Sequence, residues 1–297
     1  MAPSPPPNIY IVGAQSTGKT TLVNNLRDYF HSHLHHSSDR NNDSNNNNTH
    51  PLPSFPPPAI ITEVARTVLT THHFSAKDVR IPARSLALQQ LILEAQAAAE
   101  EKALREPTVT DVTDVTDVTD GADGTDVTAA AATTEGRGSG PPGWFISDRS
   151  GANPIVYAAR YVRGGEEEEE EKEEEAGDAP WRALTGTVAW QGLRARMRRS
   201  LVVVCEAGLA AAEAGWLRDD GVRLMPEDVE EWVGFHGLFC RLLEAEAVPY
   251  VVLGAGVGRR EERVRFVVGE WRECAVRVLG KDLGGLDGTL GDPGHNQ

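Results

Sequence analysis

Short apolar runs along this chain alternate with longer stretches whose apolar residues recur every three or four positions, the spacing of one helix face. Asn8 to Val12, Ala59 to Thr62, Trp144 to Ser147, Leu201 to Cys205 and Tyr250 to Leu253 read as five strands. Helices are predicted over Lys19 to Phe30, Ala83 to Arg105, Trp181 to Arg199, Pro226 to Ala247 and Arg259 to Leu279. A further helix opens at Asn153-Pro154, a polar cap with a proline in the first turn. Strands alternating with helices predict a mostly parallel sheet covered on both faces. Ligands of such sheets bind beyond the carboxyl ends of the strands, so the chemistry is sought there.

Low-complexity sequence interrupts this pattern. A Pro-rich start covers residues 1–7, a His/Asn/Pro stretch covers about 31–58, and a Val-Thr-Asp repeat lies within 106–143. An acidic block covers about 164–180, and a Gly-rich tail covers 281–297. Such compositions cannot bury enough apolar surface to offset the entropy of ordering them, so each is expected to be disordered. Without them about 190 residues remain, the size of one α/β domain spanning 8–280 with decorated loops. Long surface insertions cost such a domain little.

The inserts also explain the charge. The formal net charge is −15, but Glu166 to Glu175 holds nine Glu and one Lys, and Asp111 to Asp126 holds six Asp without a base. The folded part is therefore nearly neutral and lacks the basic stripe a nucleic-acid surface requires. The three cysteines (Cys205, Cys240, Cys274) are far apart, which fits a reducing compartment. The N-terminus lacks the apolar core of a signal peptide, and no apolar run approaches the ~20 residues of a membrane span. A cytoplasmic location is expected.

The chemistry starts where the first strand ends. Gly13-Ala-Gln-Ser-Thr-Gly18-Lys19-Thr20 matches GxxxxGK[ST] in full, with a strand before it and a helix after it. Its glycines let the backbone curl so that N–H groups along Gly13, Ser16, Thr17, Gly18 and onward to Thr21 point at phosphate oxygens, aided by the helix N-terminus. Lys19 can reach the β- and γ-phosphates, and the Thr20 hydroxyl can ligate Mg2+. The expected ligands are ATP or GTP with Mg2+.

The second strand runs into Glu63-Val-Ala-Arg66 and the third into Asp148-Arg149-Ser150. An acid at that edge can bind Mg2+ or take a proton from an attacking hydroxyl, and either Glu63 or Asp148 fits. Arg149 or Arg66 can neutralise charge on a transferring phosphoryl group. Beyond the fourth strand, Trp216 to Pro226 is a polar connector placed like a lid, through which Arg218 or Arg223 would approach the phosphates.

Other signals carry less. His31, His33, His35 and His36 sit in an Asn-rich tract without a Cys or carboxylate framework. Arg194 to Arg199 suits a helix C-terminus. The Gly254 to Arg259 loop is placed to line a nucleotide base. Gln89 and Gln96 share a helix face and either touch substrate or pack.

Taken together, Gly13 to Thr21, Glu63-Val-Ala-Arg66, Ser147 to Gly151 and Trp216…Asp220-Gly221-Val222-Arg223 resemble the NadR-like AAA-type P-loop domain. That family is named for the ribosylnicotinamide kinase portion of a bacterial NAD-biosynthesis regulator and includes TRP-channel translocation-defect proteins. The resemblance implies a kinase-like P-loop NTPase fold and phosphoryl transfer to a nucleoside-like small molecule. It further implies nucleotide and Mg2+ at Gly18, Lys19 and Thr20, with Arg223 in the lid. The third-strand motif Ser-Asp-Arg-Ser is closer to that of nucleoside kinases. Two functions follow as expectations: a small-molecule kinase, or a non-catalytic or slowly hydrolysing nucleotide-dependent regulatory module. The absence of NKxD removes one route to guanine selectivity.

Overall fold

The computed structural model describes residues 5–35, 55–105, 143–162, 179–208, 226 and 228–279. Five strands form one sheet: β1 (Ile9–Gly13), β2 (Ala59–Ile61), β3 (Phe145–Asp148), β4 (Leu201–Cys205) and β5 (Val251–Leu253). Their order is β2-β3-β1-β4-β5, and every pairing is parallel. β1 is therefore central. Its neighbours are fixed by the registers Ile11↔Asp148 on one side and Gly13↔Cys205 on the other.

Alternation along the strands divides the core into two layers. Tyr10, Val12, Phe145, Val202 and Val204 face one layer with Leu93, Ile155, Trp190 and Phe235. These come from helices α3 (Pro82–Arg105), α4 (Ala152–Tyr161), α5 (Val188–Met197) and α6 (Val229–Ala245). Ile9, Ile11, Ile146 and Val203 face the other layer, against α1 (Lys19–His35) and α7 (Arg260–Leu279). There Phe30, Trp144 and Trp271 meet with ring centroids 5.0–5.3 Å apart. Their indoles donate to Pro56 O (Trp144) and Pro7 O (Trp271), at 2.7 and 2.8 Å, which satisfies the buried N–H groups.

Several elements differ from the sequence reading for identifiable reasons. α1 continues to His35 because Leu34 extends its apolar stripe onto the Trp271 layer. Phe55 is buried in the same layer, although it falls within the stretch read as an insert. The helix expected over Trp181 to Arg199 is broken at Gly186-Thr187, where the Thr187 hydroxyl accepts the Trp190 N–H and caps α5. α6 starts after Asp228, which caps the Glu231 N–H at 2.7 Å, rather than at Pro226. An eight-residue helix, α2 (Val64–Thr71), and a 3-10 turn (Ala76–Arg80) were not signalled by periodicity. α2 is rich in β-branched residues and is held by Val68 against Val79 and Leu88.

A charged network lies inside the first layer. Glu100 on α3 is fully buried, where it accepts from Tyr10 Oη (2.8 Å), Gln96 Nε2 (3.0 Å) and Arg196 Nε (2.9 Å). Burial pushes its carboxyl pKa up, opposed by those three donors. Breaking such a set leaves an uncompensated charge. Glu100→Leu is expected to destabilise the fold by about 3 kcal/mol in chemical denaturation, with Arg196 left against apolar side chains.

Candidate functional site

The end of β1 turns sharply. Gly13 (φ 132°), Ser16 (φ 59°) and Gly18 (φ 77°) all adopt positive φ, which curls the loop before α1 begins at Lys19. Gly13 is required twice over, since a Cβ there would lie 2.5 Å from the Cys205 carbonyl oxygen. Gly13→Ala is expected to cost about 3 kcal/mol of stability in thermal or urea unfolding and to weaken nucleotide binding, because β4 must move. The loop is braced from within by Thr17 Oγ1 donating to Ala14 O (2.9 Å). From outside, Arg263 on α7 donates to Thr17 O at 3.0 Å. Arg263 is buried and had no signal in the sequence beyond a helical position.

Lys19 is 5% exposed and folds back on this loop, its ammonium donating to Ala14 O and, at 3.4 Å, to Thr17 Oγ1. Burial, reinforced by the Arg149 charge, lowers its pKa to about 7. The donor is thus tethered to neutral oxygens that a phosphate can replace. The Thr20 hydroxyl donates to Asp148 Oδ2 at 2.5 Å, while Asp148 Oδ1 is buried without a hydrogen-bond partner among the described residues. One hydroxyl and one carboxylate, whose Oδ1 is left without a partner among the described residues, fit Mg2+, which takes few protein ligands and completes its shell with substrate phosphates and water.

A second charged group lies across from this pair. Arg149 adopts φ 87°, a left-handed conformation that is unfavourable for its side chain, and its N–H bonds Ile11 O at 2.9 Å. The turn sends the guanidinium to Glu63 Oε1 at 2.5 Å, and Arg66 approaches Glu63 Oε2 at 3.4 Å. Burial opposes the Arg149 charge, but the Glu63 carboxylate prevails and raises its pKa.

Glu63, Arg66 and Arg149 open onto a cleft. Its wall continues through Gln15 of the phosphate loop to Gln89, Asn153 and Tyr157, with Leu69, Val79, Leu88 and Ile92 as apolar lining. Gln15 is fixed there by Tyr157 Oη donating to its Oε1 (2.8 Å) and Trp232 Nε1 donating to its carbonyl (2.7 Å). The cleft is contiguous with the phosphate loop.

The structure thus brings Gly13, Ser16, Thr17, Gly18, Lys19 and Thr20 together with Asp148, Arg149, Glu63 and Arg66; Thr21 follows on the first turn of α1. Asp148 was expected both on metal and on acceptor. Its carboxylate is engaged by Thr20, and it does not line the cleft. The lid-like segment with Arg218 and Arg223 lies outside the described residues, as does His36. His31 and His33 are on α1, where His33 Nδ1 bonds the Tyr29 carbonyl. In the Gly254 loop the Ala255 N–H bonds Glu206 at 2.8 Å. Gln15, Asn153, Tyr157 and Arg263 were missed as site residues. Only Asn153 gave a local signal, read as a helix cap.

Residues 8–119 match the family model described as an AAA domain. A comparison with curated proteins gives no match. The matched stretch contains the Gly13–Thr20 loop, Glu63 and α3. With a parallel sheet flanked by helices and a complete phosphate loop, the chain is a P-loop nucleotide-binding protein with the P-loop NTPase fold, similar over 8–119 to AAA-type domains.

Proposed function

We propose that the protein transfers the γ-phosphoryl group of ATP or GTP to a hydroxyl of a nucleoside-like small molecule. The observation that carries this reading is the charged group Glu63, Arg66 and Arg149 on a largely apolar cleft beside the phosphate loop.

In this reading the loop amides and Lys19 hold the β- and γ-phosphates, and Thr20 with Asp148 would hold Mg2+, which neutralises phosphate charge. Glu63, on the cleft wall, receives the acceptor's hydroxyl proton as its oxygen bonds to the γ-phosphorus. The bond from that phosphorus to the bridging oxygen breaks, and the nucleoside diphosphate leaves. Arg149 turns from Glu63 toward the transferring group as the carboxylate is neutralised, and Arg66 orients the acceptor. Arg223, outside the described residues, is proposed to add a further positive charge. Asp148 is the poorer candidate because, unlike Glu63, it does not line the cleft where the acceptor would lie. The order of motifs shared with NadR-like domains supports the same acceptor class. We propose a cytoplasmic site of action, consistent with three free thiols at Cys205, Cys240 and Cys274.

The test is incubation of purified protein with Mg2+, labelled ATP or GTP and a panel of nucleosides, alongside Lys19→Ala. A phosphorylated nucleoside that disappears in the variant is the expected result. Triphosphate binding without transfer to any nucleoside would instead favour a regulatory nucleotide-binding module.

A further inference from the structure

Two glutamines seven residues apart on α3 reach the cleft wall, and their surroundings differ. Gln96 is tied on both sides, its Nε2 donating to Glu100 (3.0 Å) and to Ser147 Oγ (3.1 Å). Those bonds belong to the core network and explain its burial. Gln89 is as deeply buried, at 3% exposure, yet forms no side-chain hydrogen bond among the described residues and lines the cleft. Asn153, on α4 across from α3, is 4% exposed. Its Oδ1 accepts the Ser150 N–H at 3.0 Å, which fixes the amide's orientation, and its Nδ2 is buried without a partner among the described residues.

Buried amides without partners are rare in native proteins, because desolvation is not repaid by a protein bond. Asn153 Nδ2 is such a group, and the Gln89 amide, which makes no side-chain bond among the described residues, opens on the same cleft; together they signal a ligand that completes them. Their chemistry defines it. Asn153 offers a donor, and Gln89 offers a donor and an acceptor side by side. The apolar part of the same lining (Leu69, Val79, Leu88, Ile92, with the ring of Tyr157) suits a flat heterocycle better than a sugar or a phosphate. Glu63 and Arg149 stand where the cleft meets the phosphate loop.

We infer that Gln89 and Asn153 are the specificity-determining residues of the acceptor cleft. They select a nucleoside whose base carries a hydrogen-bond acceptor directly beside an N–H donor, its sugar hydroxyl lying toward Glu63. The inference rests on the phosphotransferase reading above for the identity of the cleft, and on the unpartnered Asn153 Nδ2 with the Gln89 amide beside it on the cleft wall for its selectivity.

The experiment compares kcat/KM for nucleosides that have this edge with analogues that lack it. Adenosine and inosine are set against purine riboside, and cytidine and uridine against pyrimidin-2-one riboside. The wild-type protein is expected to prefer the edge-bearing member of at least one pair by about 100-fold or more, since a site built to hydrogen-bond rejects a ligand that leaves it unpaired. Gln89→Leu should bring that ratio within about 10-fold. Asn153→Asp keeps the oxygen that Ser150 needs and replaces only the donor, so it should also erode the preference even if Gln89→Leu folds poorly. Equal ratios in the wild type and both variants would overturn the inference while leaving the transferase reading standing. The same nucleosides are titrated by calorimetry without triphosphate. Binding with a Gln89-dependent preference but no product would uphold the recognition pair and remove the transferase reading. No nucleoside binding at all would overturn both.

Discussion

Lys19→Met is expected to abolish triphosphate binding while making the ligand-free protein more stable. The ammonium of Lys19 is buried against neutral oxygens and repelled by Arg149, which lowers its pKa to about 7 from 10.5. Between those values the unfolded chain holds more protons than the folded one, so stability rises with pH across that window. The penalty of the buried charge is therefore full below pH 7 and fades toward pH 10.5. Methionine fills the same space without charge. In metal-free buffer the variant should unfold later than the wild type, by about 2 kcal/mol at pH 6.5, with the gap closing as pH approaches 10. Triphosphate affinity should fall at least about 100-fold, because a buried charge-assisted contact to phosphate is lost. Calorimetry in buffers of different ionisation enthalpy adds a second readout: wild-type protein should take up protons on binding near pH 8, when phosphate restores the Lys19 charge, and the variant should not. A variant less stable at every pH would contradict this account of Lys19.

The second large effect concerns Glu63→Gln. Glutamine keeps the length and one acceptor but cannot take a proton and loses the ion pairs to Arg149 and Arg66. If Glu63 is the base, kcat for nucleoside phosphorylation should drop by about 10³-fold with triphosphate affinity nearly unchanged. A fall of similar size in Asp148→Asn accompanied by weaker Mg2+ dependence would fit the separate duty of Asp148 beside Thr20. Because Arg149 loses its partner, Glu63→Gln should also lower stability by about 1–2 kcal/mol, so activity is compared below the shifted unfolding transition. Unchanged kcat would remove Glu63 from the chemistry.

What could be read from the chain follows from how local each signal is. The Gly13–Thr20 loop is legible because its glycines, lysine and threonine are contiguous and each meets a backbone or phosphate need set within eight residues. The five strands are legible because central strands buried on both faces are apolar throughout, as Ile9–Gly13 and Leu201–Cys205 are. Short α2 and the break at Gly186-Thr187 escaped, since their cause is packing of Val68 and a single hydroxyl cap rather than periodicity.

The sequence by itself determined the five strands, the longer helices, the phosphate-binding loop and the acids and arginines at the strand ends, all through short-range pattern. Only the tertiary structure decided how those residues are shared out. The order β2-β3-β1-β4-β5 puts Asp148 next to Thr20, 128 residues away, and Arg149 against Glu63, 86 residues away. That division separates a carboxylate beside the phosphate loop from one on the cleft wall, which identical side-chain chemistry could not reveal. It likewise left Gln89 without a side-chain bond among the described residues while tying Gln96 down, and it buried Lys19 beside Arg149. Desolvation and pairing depend on neighbours brought together by the sheet, so they exist only once the chain has folded.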